Sequence, residues 1–82
     1  MTPERLRTYT VLGFATTHDA LDAEQLLTDL GVPVVPVPAP AGLGHGLCGI
    51  MLRVAPDDAG RALTLLGHAG RDPVTVGETQ DL

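Results

Sequence analysis

The segment from residue 32 to 38 alternates valine and proline, and this alternation restricts where the segment can lie in a fold. Three prolines occupy alternate positions, namely Pro36, Pro38 and Pro40. Proline has no backbone N–H and is therefore confined to the edges of sheets. Because hydrogen-bonding direction alternates along a strand, these prolines all lose their donors on the same side, and the residues between them keep theirs on the other. The pattern predicts an edge strand whose outer side cannot pair with another strand.

Two amphipathic helices and three further strands are predicted around this segment. β-Branched and aliphatic residues favour strands at 8–15, 32–38, 49–54 and 73–76. The resulting order, β-α-β-β-α-β, predicts a ferredoxin-like α+β fold with a four-stranded antiparallel sheet and two helices on one face. This topology puts the second and fourth strands at the edges, in agreement with the proline spacing. Residues 77–82 are expected to form a frayed tail.

Short signals mark the ends of both helices. Thr16 and Asp19 have capping-box spacing, so the hydroxyl and the carboxylate can satisfy free helix N–H groups. Gly31 is the expected left-handed residue that ends the first helix. Pro56 suits the first position of the second helix, and Gly70 suits its end.

The chain of 82 residues is expected to be a single domain over residues 1–82, with an ordered core at about 8–78. Ten acidic residues and five arginines, with no lysine, give a net charge of −5. Nucleic acids and anionic membranes require clustered basic residues, so neither is expected as a partner. The absence of a signal peptide and of a membrane-length apolar run, together with the single cysteine, predicts a cytoplasmic protein.

Cys48 is the only cysteine and stands in a glycine-rich stretch, which makes it the best candidate for a reactive group. Gly46 and Gly49 leave neighbouring backbone N–H groups unshielded, and such groups stabilise a thiolate. His45, three residues earlier, could add positive charge. An accessible thiol on such a loop suits a carrier that enters the active sites of other proteins.

A structural role for Cys48 is the competing interpretation. Free cysteine is among the most frequently buried residue types. Cys48 also shares its strand parity with Ile50, Leu52 and Val54, which are predicted to face the core. The residues alone leave both roles open.

The remaining polar residues predict neither a catalytic nor a metal site. Residues 44–49 match G-x-G-x-x-G, but a strand follows them, so no helix N-terminus faces a phosphate there. Asp22 and Glu24 fit a solvated helix face. The three histidines are too scattered to form a zinc site, and they are His18, His45 and His68. We therefore expect a protein that is not an enzyme and needs no cofactor.

Met51 and Arg53 alternate with the core residues of the third predicted strand. They are expected on the sheet face opposite the helices. An apolar and a basic side chain on such a face suggest an oligomer contact, with a homodimer as the simplest assembly.

Several stretches between residues 8 and 78 form a combined pattern. They are Phe14-Ala15-Thr16-Thr17-His18-Asp19-Ala20, Ala23-Glu24-Gln25-Leu26-Leu27, Gly31-Val32-Pro33-Val34, Pro36-Val37-Pro38 and Cys48-Gly49-Ile50-Met51-Leu52-Arg53-Val54. Together they resemble the selenium/sulfur (Se/S) carrier protein-like family of small bacterial domains. The most specific element is the Cys-Gly pair that opens an apolar strand after a Pro-x-Pro segment.

The resemblance implies that Cys48 carries sulfur or selenium as a persulfide or perselenide, with Gly49 as its matching neighbour. Its partners would be protein donors and acceptors, for example a cysteine desulfurase-like donor. Two positions depart from the family pattern, because Ala39-Pro40 stands in place of a basic residue and Gly46-Leu47 in place of serines. The alternative is a non-catalytic ferredoxin-like module that regulates or binds a small ligand, with a structural Cys48.

Overall fold

The computed structural model describes residues 7–39 and 49–81, and these form four strands and two helices. In chain order the elements are β1 (Arg7–Gly13), α1 (Thr17–Asp29), β2 (Val35–Pro38), β3 (Ile50–Val54), α2 (Pro56–His68) and β4 (Thr75–Asp81). All three strand pairs are antiparallel, and the order across the sheet is β2-β3-β1-β4. The predicted ferredoxin-like α+β fold is confirmed, with β2 and β4 at the edges.

The core lies between the helices and one face of the sheet. α1 packs over β3, and α2 packs over both central strands, β1 and β3. The sheet contributes fully or almost fully buried side chains from alternate positions, which are Leu12, Phe14, Leu52 and Val54. The helices and the segment after α1 complete this layer with Ala20, Ala23, Leu27, Val32, Ala62 and Leu66. Small residues on both helices allow close approach to the sheet, where each fully buried leucine contributes about 1.5–3 kcal/mol.

The helix boundaries follow the predicted signals. Thr16 has an extended backbone, and its hydroxyl accepts a hydrogen bond from the N–H of Asp19 at 3.0 Å. Gly31 and Gly70 follow the two helices with φ of +82° and +71°, the left-handed region that favours glycine. Pro56 is the first residue of α2, where a missing N–H costs no helical hydrogen bond.

The edge position of β2 agrees with its prolines. The backbone N–H of Ala39 donates to the carbonyl of Gly49 at 3.0 Å, so this residue is bonded towards β3. Because hydrogen-bonding direction alternates along a strand, the backbone groups of Val37 are also directed towards β3. The backbone nitrogens of Pro36 and Pro38 therefore lie on the outer side of β2. The blocked outer side predicted from the sequence is therefore present over the described part of β2.

Two expectations about individual regions are wrong. The last strand does not end at Val76 but continues to Asp81, because β1 offers it a partner over its whole length, from Gly13 opposite Thr75 to Arg7 opposite Asp81. The frayed tail expected from residue 77 is thus strand up to residue 81. Met51 does lie on the sheet face opposite the helices, but it is fully buried, so it is not available as an exposed oligomer contact.

Within the described residues, no helix is both long enough and apolar enough to cross a membrane.

Candidate functional site

The candidate site is the beginning of β3, where Gly49 joins Cys48 to the sheet. Cys48, His45 and Gly46 lie outside the described residues, so the roles predicted for them stay predictions. Gly49 is exposed, and its carbonyl holds the end of β2 through Ala39. A Cβ built on Gly49 would meet no atom within 4 Å. The residue bonded to Cys48 therefore borders open space.

Burial falls along the core-facing side of β3 towards Gly49. Val54 and Leu52 are 1% and 0% exposed, respectively, whereas Ile50 is only half-buried. These three residues share the strand parity of Cys48, which was the argument for a buried cysteine. This decrease in burial shows that the core does not extend as far as Gly49, at the beginning of β3. Parity with core residues therefore does not require burial at this end of the strand.

An open apolar cavity of about 230 Å³ adjoins the same position. Its lining comes from the end of β2 and the beginning of β3, namely Pro36, Val37, Pro38, Gly49 and Ile50. None of these side chains ionises, although the protein as a whole carries ten acidic residues. The part of this surface that the described residues form is thus neutral and apolar.

The strand register also places this site at the end of the sheet where α1 begins. Gly13, the last residue of β1, lies opposite Met51, and α1 starts four residues later at Thr17. The amino end of a helix carries a partial positive charge from its unpaired N–H groups. α2 runs the other way, from Pro56 beyond the end of β3 back to His68, so its carboxyl end, which carries a partial negative charge, lies at this end of the sheet and opposes the field of α1.

The polar groups first considered as chemical candidates form surface pairs. His18 Nε2 lies 3.2 Å from Asp22 Oδ2, and the His18 side chain is 83% exposed. Arg71 NH1 reaches the same Asp22 oxygen at 3.6 Å, which links α1 to the segment before β4. Exposed pairs of this kind contribute at most about 1 kcal/mol each. They fit the solvated helix face that was predicted for Asp22.

No group of three or more potential metal ligands occurs among the residues that the structure describes. His68 stands in the last turn of α2.

One contact near the sheet was not predicted. The guanidinium carbon of Arg53 lies 4.4 Å from the centre of the Tyr9 ring, on the face opposite the helices. The contact crosses from β3 to β1, and Arg53 is directly opposite Val11 rather than Tyr9. Only the register brings the two side chains together, so no local signal in the sequence could have shown it.

Comparison with known proteins gives one significant family match. The profile of the family described as "Putative Se/S carrier protein-like" matches residues 9–75, which include every helix and the strands β2 and β3. No curated protein matches the chain significantly. No solved structure does so either.

Proposed function

The chain belongs to the Putative Se/S carrier protein-like family, and from this premise we propose that it is a non-enzymatic carrier that holds sulfur or selenium on Cys48. The family match covers residues 9–75 and so includes Cys48 and the strand that follows it. Cys48 is the only thiol of the chain. A carrier of a chalcogen atom requires one nucleophilic and accessible thiol, and no second catalytic group.

The observation that carries the proposal is the loss of burial along β3. The core side of this strand changes from fully buried at Leu52 to half-buried at Ile50, and Gly49 is exposed with open space around its Cα. A thiol attached to this end of the strand can meet a partner without unfolding of the core.

The transfer needs no external oxidant or reductant. The Cys48 thiolate attacks the terminal sulfur of a donor persulfide, a new S–S bond forms, and the donor S–S bond breaks. The donor cysteine leaves as a thiolate, and Cys48 becomes the persulfide. An acceptor nucleophile then attacks the terminal sulfur and releases Cys48 as a thiolate. With selenium the same steps pass through a sulfur–selenium bond.

The donor and the acceptor are proteins in this proposal. Because Pro36 and Pro38 block the outer side of β2, a partner cannot approach the site by adding a strand there. It contacts the apolar cavity between the end of β2 and Gly49 through side chains instead. The described residues of this lining carry no charge, which suits an apolar surface around the reactive cysteine of the partner.

The test is incubation with a cysteine desulfurase and cysteine, followed by intact mass measurement without reductant. A species about 32 Da heavier, reversed by dithiothreitol, is expected for one bound sulfur. Selenocysteine in place of cysteine tests for a selenium adduct. Cys48→Ser is the matched control, because it removes the only thiol and should remain unmodified.

A second measurement separates a carrier from a domain with a structural cysteine. Native protein should react with iodoacetamide about as fast as urea-unfolded protein does, since an accessible thiol gains little from unfolding. Slow native alkylation together with no sulfur adduct would overturn the carrier proposal. It would support the non-catalytic ferredoxin-like module instead.

A further inference from the structure

The outer side of β4 differs from that of β2 in having no proline. β4 contains seven residues with the sequence Thr-Val-Gly-Glu-Thr-Gln-Asp, all paired with β1. It lies at the edge of the sheet, and none of the described residues pairs with its other side. Val74 and Val76 are 60% and 50% exposed, since the helices pack over β1 and β3 rather than over this edge. An edge strand of this kind is a template for pairing with another strand.

The direction of the β4 backbone groups follows from the rest of the sheet. The Ala39–Gly49 hydrogen bond marks a bonded pair between β2 and β3, so Met51, two residues further along β3, is also directed towards β2. Its neighbour Leu52 is then directed towards β1, where it lies opposite Leu12. Alternation therefore directs Gly13 towards β4.

A separate contact agrees with this assignment, because the carbonyl of Gly13 accepts from the N–H of Val74 at 2.8 Å. Gly13 lies opposite Thr75, so Thr75 and every second residue after it are bonded inward to β1. The residues between them direct their backbone N–H and C=O groups away from the sheet. They are Val76, Glu78 and Gln80.

We propose that this edge pairs with β4 of a second copy of the chain, antiparallel and with Gly77 at the two-fold axis, to give a dimer with a continuous eight-stranded sheet. In this register Val76 forms a hydrogen-bonded pair with Glu78 of the second copy. Glu78 forms the equivalent pair with Val76 of the second copy. Thr75 lies opposite Thr79, a favourable cross-strand pair. Pairing centred on Glu78 would instead put two carboxylates opposite each other, which is destabilising.

Two features select a second copy as the occupant. In the register about Gly77 the exposed Val76 side chains of the two copies become diagonal neighbours on the helix-bearing face, and so do the two Glu78 side chains, which this register keeps from lying directly opposite each other. The opposite edge is blocked by Pro36 and Pro38, so two-fold pairing at β4 closes the assembly at two chains. Both sites at Gly49 then remain at the far edges of the dimer, accessible to partners.

The test is sedimentation velocity of the full chain over a range of protein concentrations, comparing Glu78→Pro with Glu78→Gln. Both substitutions remove the carboxylate, but only proline removes the outward N–H, and neither removes a hydrogen bond to β1. Wild type and Glu78→Gln should form dimers, and Glu78→Pro should raise the dimer dissociation constant at least about tenfold. A monomeric wild type at all concentrations, or equal dissociation constants for the two variants, overturns the proposal.

A crosslink tests the register. Gly77→Cys in a Cys48→Ala background should form a disulfide-linked dimer on mild oxidation, because opposed residues of a non-hydrogen-bonded pair have Cα atoms about 4.5 Å apart. Failure to crosslink, with circular dichroism like the parent's, overturns pairing about Gly77. Cys48→Ser should leave the dimer unchanged, so the outcome is independent of the carrier function.

Discussion

The two edge strands of the sheet, β2 and β4, differ in whether their outer backbone groups can pair with another strand. At β2, Pro36 and Pro38 remove the outer donors, and the described residues that line the neighbouring surface at Gly49 are apolar and uncharged. At β4, every residue has a backbone N–H, and two exposed valines lie at the beginning of the strand. An edge that cannot accept a strand is suited to transient contact through side chains. An edge that can accept one is suited to a lasting interface.

The largest expected effect comes from making the outer side of β2 able to pair with a strand, as that of β4 is. The double substitution Pro36→Val, Pro38→Val restores outward donors to β2 and so gives each chain two edges that can pair. The closed dimer should then extend into open-ended assemblies, because pairing no longer ends at two chains. Light scattering and sedimentation velocity would detect particles larger than dimers that grow with concentration.

Pro33→Val is the matched control for this experiment, since Pro33 precedes β2 and is exposed. It should sediment like wild type. If the double variant also sediments like wild type, the prolines do not limit assembly. The proposed difference in pairing between β2 and β4 would then be wrong.

The two edges also differ in how well the sequence predicts them. β2 could be placed at an edge because proline acts locally, through the loss of its own N–H. β4 could not be predicted beyond Val76, because Gly77, Glu78 and Gln80 show no apolar alternation. Their strand conformation depends on pairing with β1, a tertiary effect that outweighs local propensity.

At the candidate site too, the sequence predicts what depends on local pattern but not what depends on tertiary packing. Strand parity correctly placed Leu52 and Val54 in the core, and it placed Met51 on the opposite face. Parity does not show where a core ends along a strand, so it could not predict the half-burial of Ile50. It also could not predict full burial of Met51, since a residue's face does not determine what covers it.

The next largest effect tests the bonding direction along β4. Thr79 is bonded inward to β1, opposite Tyr9, whereas the neighbouring Glu78 is directed outward. Thr79→Pro should therefore lower the free energy of unfolding by about 2–3 kcal/mol, through a lost bond and an unsatisfied carbonyl. Glu78→Pro should lower it by less than about 1 kcal/mol.

Urea denaturation at concentrations where both variants are monomeric measures this difference. Equal losses of stability in the two variants would contradict the assigned alternation. The pairing proposed for β4 would then need a different set of outward residues.

A smaller effect distinguishes two glycines, one at a helix end and one at the candidate site. Gly31 has φ of +82°, where alanine is strained, so Gly31→Ala should cost about 1 kcal/mol of stability. Gly49 is outside the positive-φ region, and a Cβ there meets nothing within 4 Å. Gly49→Ala should change stability by less than about 0.5 kcal/mol in thermal or urea unfolding. A large loss for Gly49→Ala would mean that this glycine serves the fold rather than access to Cys48.

The smallest effect, on a reaction rate rather than on stability, tests access to the thiol directly. Gly49→Val places a branched side chain in the open space beside Cys48 and should fold normally, because valine favours strands. Iodoacetamide alkylation of Cys48 should then slow about two- to tenfold in the native state, but not in urea, since only the folded chain holds the new side chain against the path of approach. Gly49→Ala, which adds one methyl group, should slow it less. Equal native rates for all three proteins would show that partners reach Cys48 from another direction, and the apolar cavity at the β2 edge would no longer be the place where they contact the carrier.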